Sequence, residues 1–419
     1  MKKISLTALL FLTLSCNKEE SAHEAVVPQL DQAQLELHTL DIQNLSITNL
    51  TAFGTDASIT WSSDDESVAM VDNQGQVTAT GAGETQINVT VDNSMVQIPI
   101  IVKPSIFASG IVLNESQGTI NAALWKNNEL IELTNESPFA SSSEVFINGT
   151  DIYATITDGR NGNDAFVWKN GETSIISNDP NKSESIFSLF IRNSKTYVGG
   201  NIIGNATIWE DGIPTVLEPN YLSSINAVHV DDQNNVYASG SASHDNNYST
   251  ALIWVNGQPI SLTEGNTYAR TTDLFLDDND IYVVGYESPE SDFTTNSQAV
   301  LWKNGVRQNL SDTNSIYFPS SIYVDEANVY VAGNERVNGI LQARLWINGE
   351  VKTLTQHSNA SNANSLFVHQ GDVYIGGFNQ ASDEAIVWKL IDGDINNLIQ
   401  IKLPINIYDS ASVFSIIVK

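Results

Sequence analysis

From residue 122 onward one short pattern returns seven times. Its anchor is a tryptophan, at Trp125, Trp168, Trp209, Trp254, Trp302, Trp346 and Trp388, with intervals of 43, 41, 45, 48, 44 and 42 residues. An alanine stands three residues ahead of each (Ala122, Ala165, Ala206, Ala251, Ala299, Ala343 and Ala385), and Leu, Val or Ile stands directly before it. Five of the tryptophans are followed within three residues by Asn-Gly or Asp-Gly, as in ARLWINGEVKTLT at 343–355. Trp125 has Asn127-Asn128 instead, and Trp388 has Asp392-Gly393 after two extra residues. Self-similarity at a fixed period means that each repeat is one small unit that buries its apolar faces only against its neighbours. A tryptophan that recurs in every unit therefore reads as a packing residue, not as a group that performs chemistry.

Asn-Gly between two apolar runs predicts a β-hairpin with a type I′ turn, which needs positive φ at both central residues. Two more strands complete the unit. One reads IFASG (106–110), TYVGG (196–200), VYASG (236–240), IYVVG (281–285), VYVAG (329–333) and VYIGG (373–377), while its second copy, IYATI at 152–156, lacks the glycine. The other precedes it: SLFI (188–191), AVHV (227–230), DLFL (273–276), SIYV (321–324) and SLFV (365–368). A matching SIIV (415–418) ends the chain, and no such run stands immediately before IFASG. Four strands in about 44 residues, seven times over, predict a seven-bladed β-propeller over 105–419. The C-terminal strand would complete the first blade and remove the two edges of an open array.

Residues 31–103 predict a separate small β-sandwich. Val77 and Ala79, then Ile87, Val89 and Val91, then Val96, Ile98, Ile100 and Val102 alternate with mostly polar residues, with turn signals at Asn73-Gln74-Gly75 and around Gly81 and Gly83. The run WSSDDESVAMVDNQGQVTATGAGETQINVTV resembles the bacterial immunoglobulin-like domain, group 2. That resemblance implies a stalk or spacer, in some proteins an adhesive module, with Trp61 in the core. The overall expectation is all-β: an immunoglobulin-like sandwich followed by a propeller.

The N-terminus, MKKISLTALLFLTLSC, has two lysines, a short apolar run and Ser15-Cys16, which predicts a signal peptide over 1–15. The run is too short to span a bilayer. The pattern resembles the lipobox of bacterial lipoproteins, which implies lipidation of Cys16, although Thr13 stands where leucine is usual. Cys16 is the sole cysteine, so the mature chain has no disulfide. Asn17-Lys18-Glu19-Glu20 resembles the surface-export signal of Bacteroidota lipoproteins, which implies an outer-membrane anchor facing outward, a periplasmic orientation being the alternative. Residues 16–30 read as a tether.

A net charge of −30 argues against nucleic acid and against anionic lipid head groups, leaving the lipid as the only membrane contact. No phosphate loop, G-x-S-x-G or zinc motif is present, and no two of the six histidines have metal-ligand spacing. DGRNGND at 158–164 lacks the glutamate of a calcium loop, since residue 169 is Lys, and reads as a solvated turn. No catalytic residue, metal or cofactor is assigned.

Turns between the first two strands and within the Asn-Gly hairpins are short and share one end of the ring. The variable loops, 241–250, 263–272, 286–298 and 311–321, share the other. Loops on a rigid scaffold carry binding residues, and the aromatics Tyr221, Tyr248, Tyr268, Tyr286, Phe293, Tyr317 and Phe318 are the candidates there. The leading expectation is a monomeric, non-enzymatic surface module for a glycan or protein ligand. The rivals are a carbohydrate-active hydrolase or lyase and a structural envelope protein. Acids with an Arg or His at the mouth of the ring would favour the enzyme, and a bare aromatic rim would favour binding.

Overall fold

The computed structural model describes residues 26–419 apart from 162–163, 178–182, 219–220, 244–247, 290–295, 312–315, 356–359 and 381–383. The leader, Cys16 and Phe293 lie outside the described residues. The chain divides into two compact units, Met1–Lys103 and Pro104–Lys419.

The first unit is a sandwich of a four-stranded and a three-stranded sheet. Ser94–Lys103 sits between Leu35–His38 and Gly83–Val91, with Ile59–Ser63 at the far edge; Gln76–Ala79 sits between Ile42–Asn44 and Ala69–Val71. The first pairing is parallel and the others are antiparallel. Alternation does the work expected of it: Val77, Ala79, Ile87, Ile98, Ile100 and Val102 share one buried cluster. Trp61 departs from the expectation. It is only half-buried at the margin of that core, and its ring lies over the backbone of Gly75, where an added Cβ would come within 2.9 Å.

Among the described residues the second unit contains seven sheets, six of them each built from one continuous repeat. In the sixth, Tyr317–Asp325, Asn328–Val337, Ile340–Ile347 and Glu350–Thr353 pair in sequence order from the inside outward. The ring closes through the C-terminus: Ser410–Val418 pairs antiparallel with Ile106–Asn114, from Ser410↔Leu113 to Val418↔Ile106. Blade one is thus made from both ends of the propeller.

The repeated Ala and Trp explain each other. The Ala of each blade falls in the same buried cluster as the Trp of the next, as in Ala299 with Trp346 and Ala343 with Trp388. The rule holds around the circle, ending with Ala385 against Trp125 across the closure. A small residue is needed where a neighbouring indole lies. Six of the seven indoles are fully buried, and Trp168 is half-buried. Leu345 faces the opposite way from Trp346, into the cluster shared with blade seven.

In the hairpins Asn348 and Gly349 have φ of 52° and 83°, the turn geometry that requires positive φ. Asparagine adds a second contribution. Asn348 Oδ1 accepts a hydrogen bond from the Val329 N–H at 2.9 Å, tying the outer hairpin to the second strand. Asn127, Asn170, Asn256 and Asn304 do the same, and Asp211 does so in blade three.

The glycine within the second strand of six blades has a steric cause. Six of the inner strands carry a β-bulge, at Phe187, Asn226, Thr272, Ser320, Asn364 and Phe414. The bulge drives an inner-strand carbonyl onto the opposite strand. A Cβ at Gly110, Gly200, Gly240, Gly285 or Gly377 would lie 1.8–2.0 Å from that oxygen, and one at Gly333 would lie 2.5 Å away. Blade two has Ile156 at this position. There the inner strand is broken into Ala140–Ser141 and Val145–Asn148, both paired with Asp151–Asp158. Repeat matching does not reveal this strand, because the break disrupts its pattern.

Candidate site in the central channel

The seven inner strands enclose a cavity of about 440 Å³ on the propeller axis. Because side chains alternate along a strand, corresponding positions of the blades form rings around it.

One ring consists of aromatics: Phe146, Phe190, His229, Phe275, Tyr323 and Phe367, with Ile417 in blade one. Successive ring centroids from Phe146 to Phe367 are 5.1, 4.8, 6.0, 4.7 and 4.9 Å apart. Beyond it, toward the short turns, lies a second cavity of about 360 Å³, also touched by Phe190 and His229 and lined by Arg192, Asp231 and Asp232. Arg192 pairs with Asp232.

Two residues earlier on each strand, toward the loop-rich end, the positions are Ser415, Glu144, Ser188, Ala227, Asp273, Ser321 and Ser365, in blade order from one to seven. They form an inter-blade zipper. Ser188 accepts from Val228 N–H at 3.0 Å, Ser321 from Leu366 N–H at 3.3 Å, Ser365 from Ile416 N–H at 3.1 Å and Ser415 from Val145 N–H at 3.3 Å. Asp273 Oδ2 takes the same part toward Ile322 N–H at 2.9 Å. Ala227 has no acceptor to offer, and the Leu274 N–H it would have served is met by Asp273 Oδ1 at 2.8 Å. The bulge residues add further links: Asn226, Ser320 and Asn364 donate to Thr271, Ala363 and Val413 carbonyls of the following blade at 2.6–2.7 Å.

Four titratable groups face this cavity: Glu144, Asp273, His229 and Tyr323. Glu144 Oε1 lies 2.5 Å from the Ser415 hydroxyl. Burial, aided by the negative Asp273, pushes its carboxyl up to about 8, against the opposing effect of the Ser415 bond. Burial likewise raises Asp273 to about 6, against the hydrogen bonds it accepts. His229 is driven down to about 4 by burial alone, so its imidazole is neutral near pH 7. Glu144 and Asp273 are solvent-accessible only in part; they sit deep in the molecule and meet solvent along the channel wall. No lysine or arginine lines the cavity among the described residues.

The six described aromatics among those chosen from the sequence lie outside this lining and do not form one rim. Tyr248 packs on Tyr268 at 4.9 Å, bridging blades four and five. Tyr286 meets Phe318 edge-on at 5.4 Å, bridging blades five and six, with Arg336 over Phe318 at 5.7 Å. Tyr221 is half-buried just before Leu222–Val230. Tyr317 is a core residue: only 9% exposed, it packs 5.5 Å from Trp346 between blades. Tyr268, Tyr286, Tyr317 and Phe318 belong to strand ends instead of loops, because pairing continues through them. The exposed side chains at this end include Phe139, Ile203, Leu222 and Ile407, the last two at 73% and 78%. Asp158, from the rejected calcium-like turn, is held by Arg160 at 2.5 Å and Ser137 at 2.7 Å. Among the described residues no three His, Cys, Asp or Glu side chains form a metal-binding group.

Sequence reasoning passed over Glu144, Asp273 and His229. A signal was present: in the quartets SLFI, AVHV, DLFL, SIYV, SLFV and SIIV, Asp273 breaks the first position and His229 the third.

Residues 30–100 match the bacterial Ig-like domain (group 2) family. No curated protein matches the chain. Among solved structures, the chain is similar to the β-propeller domain of the Trilobed protease from Pyrococcus furiosus, described as having an open velcro topology. Identity there is 12%, TM-score 0.44, with 79% of this chain and 97% of that one covered. A Pyrococcus horikoshii acylaminoacyl peptidase aligns at 13% identity and TM-score 0.46, covering 73% of this chain and 51% of that one. A Mycobacterium tuberculosis puromycin-hydrolyzing peptidase aligns at 7% identity and TM-score 0.46, covering 63% and 46%. The chain spans about half the length of these two peptidases. From its sheets and the family match, the chain is an all-β protein, an immunoglobulin-like domain followed by a propeller.

Proposed function

We propose that this chain is a surface lipoprotein, anchored in the outer membrane through Cys16, whose propeller is a non-enzymatic module binding a glycan or protein ligand. The immunoglobulin-like domain serves as its spacer. The observation that carries the binding reading is the axial cavity of about 440 Å³, walled by polar and aromatic rings, the size and mixed lining of small-ligand sites. Ligand would enter from the loop-rich end and present one terminal group to the channel.

A second reading, a carbohydrate-active enzyme, is favoured by one feature. Glu144 and Asp273 share a cavity and hold their protons to different pH, about 8 and about 6, the arrangement that separates an acid from a base. Against it, both Asp273 oxygens accept backbone N–H groups and Glu144 is engaged by Ser415. These carboxyls are braces of the ring before they are reagents. A glycan array probed with the purified propeller, with reducing-sugar release measured in parallel, decides between the readings. Saturable binding without release supports the module; release abolished by Glu144→Gln supports the enzyme. For the anchor, Cys16→Ser should move the protein from membrane to soluble fractions or leave the leader uncleaved, and unchanged membrane association would refute it.

A further inference from the structure

The channel has a chemical bias of its own. His229 interrupts the aromatic ring, and its imidazole makes ring contacts with Phe190 and Phe275 but has no hydrogen-bond partner among the described residues. The imidazole is half-buried and borders both axial cavities, so its unprotonated nitrogen is open to a donor from a ligand. Glu144 faces the same space, engaged on one oxygen by Ser415. Asp273 adds negative charge, and among the described residues the lining holds no lysine or arginine to balance it. Aromatic faces attract cations when water is displaced.

We infer that the axial cavity is a binding site for a primary ammonium group, R–NH3+, which donates to the Glu144 carboxylate and the neutral His229 imidazole, in the field of Asp273 and the aromatic ring. This rests on the binding reading above and deepens it by naming the group on the ligand. An ammonium ion supplies three donors, and the cavity offers acceptors without donors of its own charge. A neutral alcohol would meet the same acceptors with a single proton and no Coulombic gain. A carboxylate or phosphate would be repelled. The charged groups facing Glu144 are Asp273 and, once protonated, His229; its other contacts are the Ser415 hydroxyl and the Val145 backbone. Near pH 7 Glu144 holds a proton, which the arriving cation displaces. Binding therefore releases a proton and tightens as pH rises toward 8.

The test uses butylammonium chloride against 1-butanol, which has the same number of heavy atoms, at constant ionic strength set with NaCl. Binding is followed by NMR titration of the intact protein and by calorimetry in two buffers of different ionisation enthalpy. Butylammonium should bind saturably, at least ten-fold more tightly than 1-butanol, with proton release at pH 7. Glu144→Gln should weaken it at least ten-fold and abolish the proton release, and His229→Phe should weaken it at least three-fold. Glu350→Gln, the same chemical change on the exposed outer strand of blade six, should leave it unchanged. Circular dichroism of each variant separates loss of binding from loss of fold, and if Glu144→Gln does not fold, the alcohol comparison and the proton release still decide. Equal affinity for the alcohol, or undiminished binding by a folded Glu144→Gln variant, would overturn the inference. If the glycan array is positive while butylammonium fails, the inference falls and the binding reading stands. If both are blank, both fall.

Discussion

Glu144→Gln should flatten a pH dependence of stability that the channel builds into the propeller. In the folded molecule Glu144 holds its proton up to about pH 8, and in the unfolded chain only to about 4.5. Between those values folding takes up a proton, so stability is greatest at the acid end and falls as pH rises. Asp273 contributes in the same direction between 3.8 and about 6. His229 works the other way between 6.5 and about 4, since its folded form resists protonation. Above pH 6.5 what remains of these two titrations is small and opposite in sign, so Glu144 gives most of the slope. From pH 6.5 to 8 is about 1.5 units at 1.36 kcal/mol each, a ceiling of about 2 kcal/mol. Solvent reaching the channel wall screens the group, so about 1 kcal/mol is the expected loss. Glutamine keeps the size and an acceptor for the Ser415 hydroxyl but has no proton to lose. The assay is urea unfolding followed by tryptophan fluorescence, at pH 6.5 and 8.5. Seven of the eight tryptophans lie in the propeller, so its transition dominates the signal. A wild type with no slope, or a Glu144→Gln variant with the same slope, would refute the reasoning.

Three further outcomes follow from the packing. Deleting 411–419 removes Ala411, Val413, Ile416 and Val418, all buried, and exposes two sheet edges; a loss of about 5 kcal/mol or more is expected, enough to abolish a cooperative transition, and a truncated ring that melts like the intact one would show closure elsewhere. Trp346→Ala should cost about 3–5 kcal/mol, since it empties a fully buried indole site and frees the Leu310 carbonyl bonded at 2.9 Å, while Leu222→Ser at the exposed end should change the melting temperature little. Asn348→Ala should lose about 1–2 kcal/mol, because it removes the cap on Val329 and puts alanine at positive φ; an unchanged urea midpoint would mean the cap is ornamental.

What the sequence discloses is what must recur. Ala122 through Ala385 and Trp125 through Trp388 are legible because every blade meets the next through the same contact, and the ring closes through one more copy of it. Asn-Gly is legible because few residues accept positive φ. Positions that do not recur are harder. The inner strand of blade two is hidden because Ile156 replaces the glycine that accommodates a bulge, so the pattern fails where the geometry changes. Tyr317 looks like a loop aromatic because Asn314 and Ser315 precede it, yet strand pairing begins at it and its neighbour is Trp346. Trp61 is misjudged for the reverse reason, since a large ring in a small sandwich finds too little interior to enclose it. Glu144 and Asp273 are far apart in the chain, and only the seven-fold register sets them in one ring.

That register makes Asp273 a readable exception, and a last prediction tests the reading. Everywhere the zipper is described, a blade supplies one acceptor to the backbone of the next, and serine suffices. Ala227 breaks the series, which strands the Leu274 N–H, and Asp273 is the residue that both meets this N–H and reaches Ile322. A serine at 273 can do only the second task. Asp273→Ser should therefore leave a buried donor without an acceptor and cost about 1–3 kcal/mol. Ala227→Ser supplies that acceptor from the preceding blade, as Ser188 does for Val228. Added to Asp273→Ser, it should recover at least half of the loss, measured as the urea midpoint at pH 7. Neighbouring substitutions that share one hydrogen bond are non-additive, and the sign of the coupling is the readout. If the double variant is no more stable than Asp273→Ser alone, Leu274 does not depend on either side chain. The acid at 273 would then owe its place to something other than the missing hydroxyl at 227.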